Sequence, residues 1–428
     1  MRRTNTRDGR RWLVRGACAL AAAGLLAGTA SPAQAEPERD DVVQVDLAPD
    51  GAQPDNWSEA RGLSADGRYA LFTSLASNLV PGDTNRLYDV FVRDLRTGRT
   101  ERVSVADDGS QLNASTSTAA ISGDGRYVAF GSDAADVVPG QPANGGSKIF
   151  VRDRGTGHTE LITAGGGNFE RPAISGDGRY VAYTSERRDI HVTDRRSGTT
   201  RLVTAGADGS RADNASDDPV ISADGGTVGF RSKATNLLPP HRASAVAGSK
   251  PPTARHTFPS YVWDARTGRI QAASVDPAGV LRDAFPYATL SPDGRYAMFR
   301  VFEPNGTEAE GTHAELYVRD LREGTTTKAG PPLPGTRTVH DAYRGAMTAD
   351  SRRVVFGSGA DNLVPGDTDQ AVDIFRRDLR TGRIERIGMG EDGVNLSWSP
   401  NSLSVDGAGT TALFDGSGKV FALRLPPG

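Results

Sequence analysis

The chain has 428 residues, with 51 glycines, 25 prolines and a net charge of −3. Aromatic residues make up only 7% and hydrophobic residues 37%. This composition excludes a wholly disordered chain and favours short strands joined by tight turns over a helical fold. Beyond the N-terminal region, no apolar run reaches the roughly 18–20 residues that a membrane-spanning helix requires.

The first 35 residues have the features of a signal peptide. Six arginines precede the apolar stretch 17–30, and Ala33-Gln34-Ala35 forms a small-x-small cleavage site. The pair Arg10-Arg11, followed by Trp12, resembles a twin-arginine export signal, and a general secretory signal remains the alternative. We therefore predict a signal peptide at 1–35 and a single domain at 36–428. The protein is expected to be exported, either secreted or associated with the cell envelope.

Cysteine usage and charge exclude several function classes. The only cysteine, Cys18, lies within the signal peptide, so the mature chain has no disulfide, no zinc–thiolate site and no cysteine nucleophile. Residues 1–35 hold six arginines and one aspartate, which leaves about −8 on the mature chain. An acidic protein has no electrostatic reason to bind nucleic acid or an anionic membrane, and we expect a monomer.

A segment of about ten residues occurs seven times along the chain. Because an active site needs its catalytic residues only once, a segment that occurs seven times indicates a structural repeat and not a catalytic motif. The copies are LSADGRYALF (63–72), ISGDGRYVAF (121–130), ISGDGRYVAY (174–183), ISADGGTVGF (221–230), LSPDGRYAMF (290–299), MTADSRRVVF (347–356) and LSVDGAGTTALF (403–414), with turn aspartates at 66, 124, 177, 224, 293, 350 and 406.

Each unit is predicted to form four antiparallel strands. In the first unit, Asp66-Gly67 is a tight-turn dipeptide that leads into the β-forming run 68–74. A long loop follows, and 90–95 and 99–105 then alternate apolar and polar residues on either side of a Thr-Gly turn. Repeated four-stranded units of this length predict an all-β fold, a β-propeller. A solenoid of stacked hairpins is the structural alternative.

The two ends of the chain predict how the ring closes. The last unit supplies three strands, ending at 419–425, whereas 41–51 resembles the fourth strand and following loop of other units, such as 101–109. The N-terminal strand should therefore complete the last blade and remove both free sheet edges. We predict seven blades with this 3+1 closure, and six blades as the alternative.

The repeat resembles the TolB-type, WD-like β-propeller family of exported bacterial proteins. The segment LSPDGRYAMF (290–299), followed by LYVRDL (316–321), is the best copy of that family's motif, and the match covers nearly all of 41–428. The resemblance implies a propeller fold. The chain departs from the family in its blade count and in lacking the namesake's N-terminal domain, so that protein's role does not carry over.

No catalytic motif is found in the sequence. There is no Gly-x-Ser-x-Gly elbow, no His-Glu-x-x-His and no phosphate-binding glycine loop. The interpretation is a non-catalytic propeller that binds a protein or a glycan, or acts as a scaffold, through its long-loop face. The alternative is a metal-assisted hydrolase or lyase at the mouth of the central channel, where residues distant in sequence meet.

Two sets of repeated charged residues are interpreted as structural. One set is the arginine that precedes a tyrosine just after the first turn, and the other is the aspartate that opens the second turn. The tyrosine should pack between blades and the arginine should be solvated or bond a neighbouring turn. The sets are Arg68, Arg126, Arg179 and Arg295, and Asp94, Asp153, Asp194, Asp264, Asp320 and Asp378.

Residues that depart from the repeat are better candidates for binding. The long loop of blade 4 expands to 238–260 and carries Arg242, Lys250 and Arg255 without an acid. It is interpreted either as a plain flexible loop or as a docking loop for an acidic partner. Trp57 and Trp398 occupy similar places before a first strand, where they would stack on a sugar or peptide, or simply pack between blades.

Two loops resemble each other closely enough to suggest calcium. NLVPGDTNRLYDVF (78–91) and NLVPGDTDQAVDIF (362–375) place oxygen ligands at matching positions. Calcium binds six to eight such oxygens, so we predict a weak structural site in each loop. The alternative is that these side chains only cap turns. The candidate ligands are Asp83, Asn85, Asp89, Asp367, Asp369 and Asp373.

Overall fold

The computed structural model describes residues 42–141, 145–163, 169–239, 258–285, 289–304, 312–337, 340–367, 371–388 and 402–426. These residues form seven sheets, each built on four antiparallel strands. Within these ranges, no helix is long and apolar enough to span a membrane. The predicted signal peptide lies outside the described residues.

The strands follow one another blade by blade along the chain. Blade 1 contains β2 (Ser58–Leu63), β3 (Tyr69–Ser74), β4 (Asp89–Asp94) and β5 (Arg99–Arg102). Blade 2 contains β6 (Ala119–Ile121), β7 (Tyr127–Ser132), β8 (Lys148–Asp153) and β9 (His158–Leu161). Blade 3 contains β10 (Glu170–Ile174), β11 (Tyr180–Thr184), β12 (Ile190–Asp194) and β13 (Thr199–Leu202).

The remaining blades repeat this order. Blade 4 contains β14 (Ser216–Ile221), β15 (Thr227–Ser232), β16 (Phe258–Asp264) and β17 (Ile270–Ala272), with the short β18 (Asp283–Ala284) paired to β16. Blade 5 contains β19 (Thr289–Leu290), β20 (Tyr296–Pro304), β21 (Thr312–Asp320) and β22 (Thr325–Lys328). Blade 6 contains β23 (Ala342–Met347), β24 (Arg353–Ser358), β25 (Asp373–Asp378) and β26 (Ile384–Gly388).

Blade 7 confirms the predicted closure. Its first three strands are β27 (Leu403–Val405), β28 (Thr411–Gly416) and β29 (Lys419–Arg424), and the N-terminal β1 (Val42–Gln44) is the fourth. Strand β1 runs antiparallel to β29, with Val42 opposite Leu423 and Gln44 opposite Phe421. The predicted seven-bladed β-propeller with 3+1 closure is therefore confirmed.

The first tight turn of each blade is held by its own polar side chains. In blade 1 the Ser64 hydroxyl donates to Asp66 (2.6 Å) and accepts from the Tyr69 amide (2.9 Å). Gly67 takes a positive φ of 71°, which glycine adopts without steric cost. Blade 7 corrects the sequence alignment, because the buried Asp406 takes the serine position and not that of the turn aspartate. It accepts hydrogen bonds from the amides of Thr410 and Thr411.

The repeated arginine joins the two tight turns of one blade. Arg68 Nη2 lies 2.7 Å from Asp94 Oδ2, so both turns emerge on the same face and the long loops lie on the other. The arginine thus bonds the second turn of its own blade. The same pair recurs as Arg126–Asp153, Arg179–Asp194, Arg295–Asp320 and Arg352–Asp378.

The tyrosine of the repeat packs between blades, as predicted. A Cβ atom on Gly125, in the first turn of blade 2, would lie 2.3 Å from the Tyr69 ring of blade 1. Arg154 of blade 2 covers the same ring at 4.3 Å from its centroid. The turn glycine is therefore needed both for its φ of 70° and for the space that the neighbouring tyrosine fills.

The blades are further linked by backbone hydrogen bonds around the tight-turn face. The amide of Ala65 donates to Gly123 of the next blade (2.7 Å), and Gly407 of blade 7 donates back to Ala65 (2.7 Å). The amide of Ala223 donates to the carbonyl of Pro292 in blade 5 (2.8 Å). Pro292 has no amide hydrogen, so it cannot donate the corresponding bond to blade 6.

The core lies within and between the blades. In six blades an aromatic ring of the second strand stacks on one of the third strand, as Phe72 does on Phe91 at 5.5 Å. In blade 3, His191 replaces the second aromatic and stacks on Tyr183.

Candidate functional site

A cavity lies in the central channel of the propeller. Its volume is about 910 Å³, and residues from the first strand of all seven blades line it. Ligand cavities of proteins commonly have volumes of about 300–1,000 Å³. The channel is therefore large enough to accept part of a ligand.

Charged residues reach this channel from β-bulges. The register of the first two strands shifts in blades 1, 3, 4 and 6. The extra residue of a β-bulge bends the strand and changes the direction in which a side chain points. Such bulges are frequent next to functional sites. Within each shift lies a charged residue that lines the channel, and these are Arg61, Arg171, Asp218 and Arg344.

Two of the bulge residues have a strained backbone. Arg171 and Asp218 have φ values of 53° and 52°, and each precedes a proline, Pro172 or Pro219. A residue before proline favours extended conformations, so a left-handed one costs free energy that the surrounding structure must offset. The two residues occupy matching places in adjacent blades and form an ion pair.

Asp218 is held from two sides. Besides Arg171, the buried Arg231 approaches it, with Nη2 2.6 Å from Asp218 Oδ2 and 2.9 Å from Asp217 Oδ1. Arg231 is only 4% exposed. Burial raises the pKa of Asp217, and the positive charge of Arg231 opposes that rise. This side of the channel mouth is a network of opposite charges.

A second charged group belongs to blades 1, 6 and 7. Arg61 pairs with Glu59 (2.5 Å) and donates to Thr73 Oγ1 (3.0 Å). Burial raises the pKa of Asp415, which accepts from the Ser402 amide (3.1 Å), and the charge of Arg344 opposes that rise. The channel mouth thus offers donors and acceptors of both signs, which suits a polar ligand carrying charges or many hydroxyls.

These channel residues were not identified from the sequence. A signal was present, however, because Glu170-Arg171-Pro172 and Asp217-Asp218-Pro219 stand at matching places before the first turn. Arg61 and Arg344 are each followed by glycine in the same region. Such departures from the alternation of a strand are the pattern of a bulge.

Of the sequence-predicted binding residues, only Trp57 is described. It lies on the long-loop face, directly before β2, and is 60% exposed. One face of its indole packs on Gly418 of blade 7, where an added Cβ would lie 2.8 Å from the ring. The other predicted residues, Trp398, Arg242, Lys250 and Arg255, lie outside the described residues.

In the loop of blade 1 predicted to bind calcium, an arginine lies between the acids. Arg102 Nη1 is 3.4 Å from Asp89 Oδ2 and 3.7 Å from Asp83 Oδ1. Burial raises the pKa of Asp89 to about 6, although the Ser104 hydroxyl and Arg102 oppose the rise. Asn85 is turned to the backbone, accepting from the Leu87 amide and donating to a carbonyl of the next loop.

The loop of blade 6 has the same arrangement. Arg386 Nη1 lies 3.1 Å from Asp367 Oδ1 and 3.3 Å from Asp373 Oδ2. Asp369 lies outside the described residues. Across the described ranges, no three His, Cys, Asp or Glu side chains are grouped closely enough to hold a metal ion. In both loops an arginine therefore already lies beside the acids that were predicted to bind calcium, and calcium binding stays a prediction.

Comparison with known proteins supports the fold and leaves the activity open. No protein-family model matches the chain, and no curated protein matches it. Among solved structures, oligogalacturonate lyase from Vibrio parahaemolyticus aligns with a TM-score of 0.54 and 11% identity over 90% of this chain and 93% of that one. An oligogalacturonate lyase in complex with manganese aligns with a TM-score of 0.53, 11% identity and the same coverage.

A third β-propeller structure is similar at the same level. The Cps50 (Swd1) β-propeller domain of Myceliophteria thermophila has a TM-score of 0.51 and 10% identity over 87% of this chain and 98% of that one. The fold is a seven-bladed β-propeller. TolB from Acinetobacter baumannii also aligns, with 15% identity over 87% of this chain and 64% of that one, but its TM-score of 0.39 carries no argument. At these identities, the likenesses show the propeller fold alone.

Proposed function

We propose that this β-propeller binds a protein segment or a glycan at the mouth of its central channel and catalyses no reaction on it. The observation that carries the proposal is the set of four charged bulge residues that line a channel of about 910 Å³. Bulges and strained backbone persist where function requires them. The signal-like N-terminal segment supports a role outside the cytoplasm.

The charge pattern supports binding without chemistry. Both acidic and basic side chains line the channel, and ion pairs at its mouth include Glu59–Arg61 and Arg231–Asp218. Paired charges of this kind recognise polar groups and suppress wrong partners. The exposed Trp57 on the same face adds a flat surface on which a sugar or a side chain can stack.

The test is a binding experiment with defined probes. The mature protein is applied to a glycan microarray and panned against a displayed peptide library, and selected ligands are titrated against variants. Arg344→Gln, Arg171→Gln and Trp57→Ala should each weaken binding several-fold. Arg96→Gln, an exposed change on the tight-turn face, should not. Ligands that bind equally well to all channel variants would falsify the proposal.

A hydrolase or lyase is the second candidate, favoured by two carboxyl groups. Burial raises the pKa values of Asp217 and Asp415, and a raised carboxyl pKa is a property of general acids and bases. The assay is turnover of oligogalacturonate with and without manganese, because the similar structures include lyases of that name. Turnover that Asp415→Asn abolishes would replace the binding proposal with this one.

A further inference from the structure

The junction between blades 4 and 5 contains a groove that is separate from the central channel. Its volume is about 510 Å³. Strand β17 and the loop after it form one wall, and the hairpin of β21 and β22 forms the other. Leu238, Val275 and Pro277 make the lining largely apolar, and Arg319 is its basic residue.

The corresponding arginine reaches across the junction at three other places in the ring. This arginine directly precedes the aspartate that opens the second turn. Arg93 donates to the carbonyl of Leu47 (2.9 Å), and Arg152 donates to that of Ala106 (3.4 Å). Arg377 likewise donates to the carbonyl of Lys328. Each of these bonds ties a blade to the one before it.

In blade 5 this arginine stays within its own hairpin. Arg319 Nη1 donates to the Gly324 carbonyl (3.2 Å) and to Thr326 Oγ1 (3.0 Å). The bond to blade 4 is made instead by the Thr326 hydroxyl, which donates to the Val275 carbonyl (2.6 Å). The guanidinium therefore lies beside the groove without a bond to the described residues of blade 4.

The charge of Arg319 is poorly compensated. Among the described residues no carboxylate lies within ion-pair distance of it, and its Nε is buried without a hydrogen-bond partner. Burial lowers its pKa, and the charge of the adjacent Asp320, which is itself paired with Arg295, opposes that shift. The carboxylate of Asp276 also lines the groove, but it accepts from the amides of Ala278 and Val280 and pairs with Arg282 (3.2 Å).

We propose that this groove binds a small organic anion, whose carboxylate or phosphate group pairs with Arg319 while its apolar body contacts Leu238, Val275 and Pro277. A planar guanidinium binds such groups through paired hydrogen bonds that are stronger than neutral ones. The groove volume lies within the range of small-molecule sites.

The probes are benzoate and phenyl phosphate, with benzyl alcohol as the uncharged control, titrated into the mature protein by ligand-observed NMR. Arg319→Gln removes the positive charge. Gln271→Trp, at an exposed position in the lining, fills the groove and leaves Arg319 unchanged. Arg152→Gln is the matched control at another junction. Melting curves identify any variant that fails to fold, in which case Gln271→Trp decides.

At least one anionic probe should bind with a dissociation constant that rises tenfold or more in Arg319→Gln and in Gln271→Trp and is unchanged in Arg152→Gln. The probe that binds tells whether carboxylate or phosphate is preferred. The proposal is overturned if neither probe binds the wild-type protein, if benzyl alcohol binds as well as benzoate, or if both groove variants bind like the wild type.

Discussion

Arg68 binds Asp94 with both Nε and Nη2, at 3.2 and 2.7 Å, and so fastens the first tight turn of its blade to the second. The guanidinium also lies 4.7 Å from the centroid of the Tyr69 ring. One side chain thus connects the two turns and the tyrosine that contacts the next blade. The same pair recurs around the ring, and the pKa values of the paired aspartates Asp94, Asp194 and Asp378 are all lowered. Their contributions to folding stability should therefore change with pH in the same direction.

We predict acid sensitivity between about pH 4 and pH 2. Hydrogen bonds from the repeated arginines lower the pKa values of Asp94 and Asp194 to about 2, and the pKa of Asp378 is also about 2. The unfolded chain takes up these protons near pH 4, so the stabilisation is present above that pH and is lost as pH falls. Urea denaturation at pH 5, 3 and 2 measures it, and Asp94→Asn should reduce the change.

Asp89 should show the opposite dependence. Its pKa in the folded protein is raised to about 6 by burial, so the folded state holds its proton while the unfolded state has already released it. Its contribution to stability should therefore decline as pH rises from about 4 through 6, by on the order of 2 kcal/mol. Comparison of wild type with Asp89→Asn over this range isolates the effect. Parallel stability curves for the two proteins would show that Asp89 titrates normally.

Gly125→Ala should destabilise the protein by roughly 2–4 kcal/mol, because it combines left-handed backbone strain with a contact against Tyr69. Gly109→Ala is the matched control. Gly109 also has a positive φ, of 86°, but nothing lies within 4 Å of an added Cβ, so only the strain of about 1 kcal/mol should appear. Equal losses in the two variants would show that packing against the tyrosine contributes nothing.

Deletion of residues 36–47 should cause aggregation or a large fall in melting temperature. It removes β1 and leaves β29 as an unpaired edge that can pair with other molecules. Light scattering and thermal denaturation measure both effects. The shorter deletion 36–40, which leaves β1 in place, is the control and should behave like the parent.

The calcium prediction can be tested through the arginine that lies in the loop. Arg386→Gln leaves Asp367 and Asp373 without that positive charge, so the variant should melt at a lower temperature. If the loop oxygens bind calcium, millimolar calcium should raise the melting temperature of this variant more than that of the wild type. Identical melting curves in chelator and in calcium, for both proteins, would end the calcium hypothesis.

The sequence predicted the blade number and the closure correctly because turn chemistry and strand alternation are local properties that recur in each unit. Asp406 was misaligned because an aspartate can replace a Ser–Asp pair by accepting the same backbone bonds itself. The position of Arg386 between two acids depends on strand pairing, which brings β26 beside β25. The channel residues Arg171 and Asp218 depend on bulges and on contacts between blades, which the repeat pattern does not reveal.

Pro292 interrupts the backbone hydrogen bonds that join neighbouring blades on the tight-turn face. The backbone bond that Ala223 donates to Pro292 has no counterpart from Pro292 to blade 6, whereas Ala349 donates to Gly407 and Gly407 to Ala65. Among the described residues, no such bond joins blades 5 and 6 on the tight-turn face, and none joins Gly123 of blade 2 to Gly176 of blade 3. Amide hydrogens beside these two junctions should therefore exchange with solvent sooner than those beside Ala65, where bonds to both neighbouring blades are present.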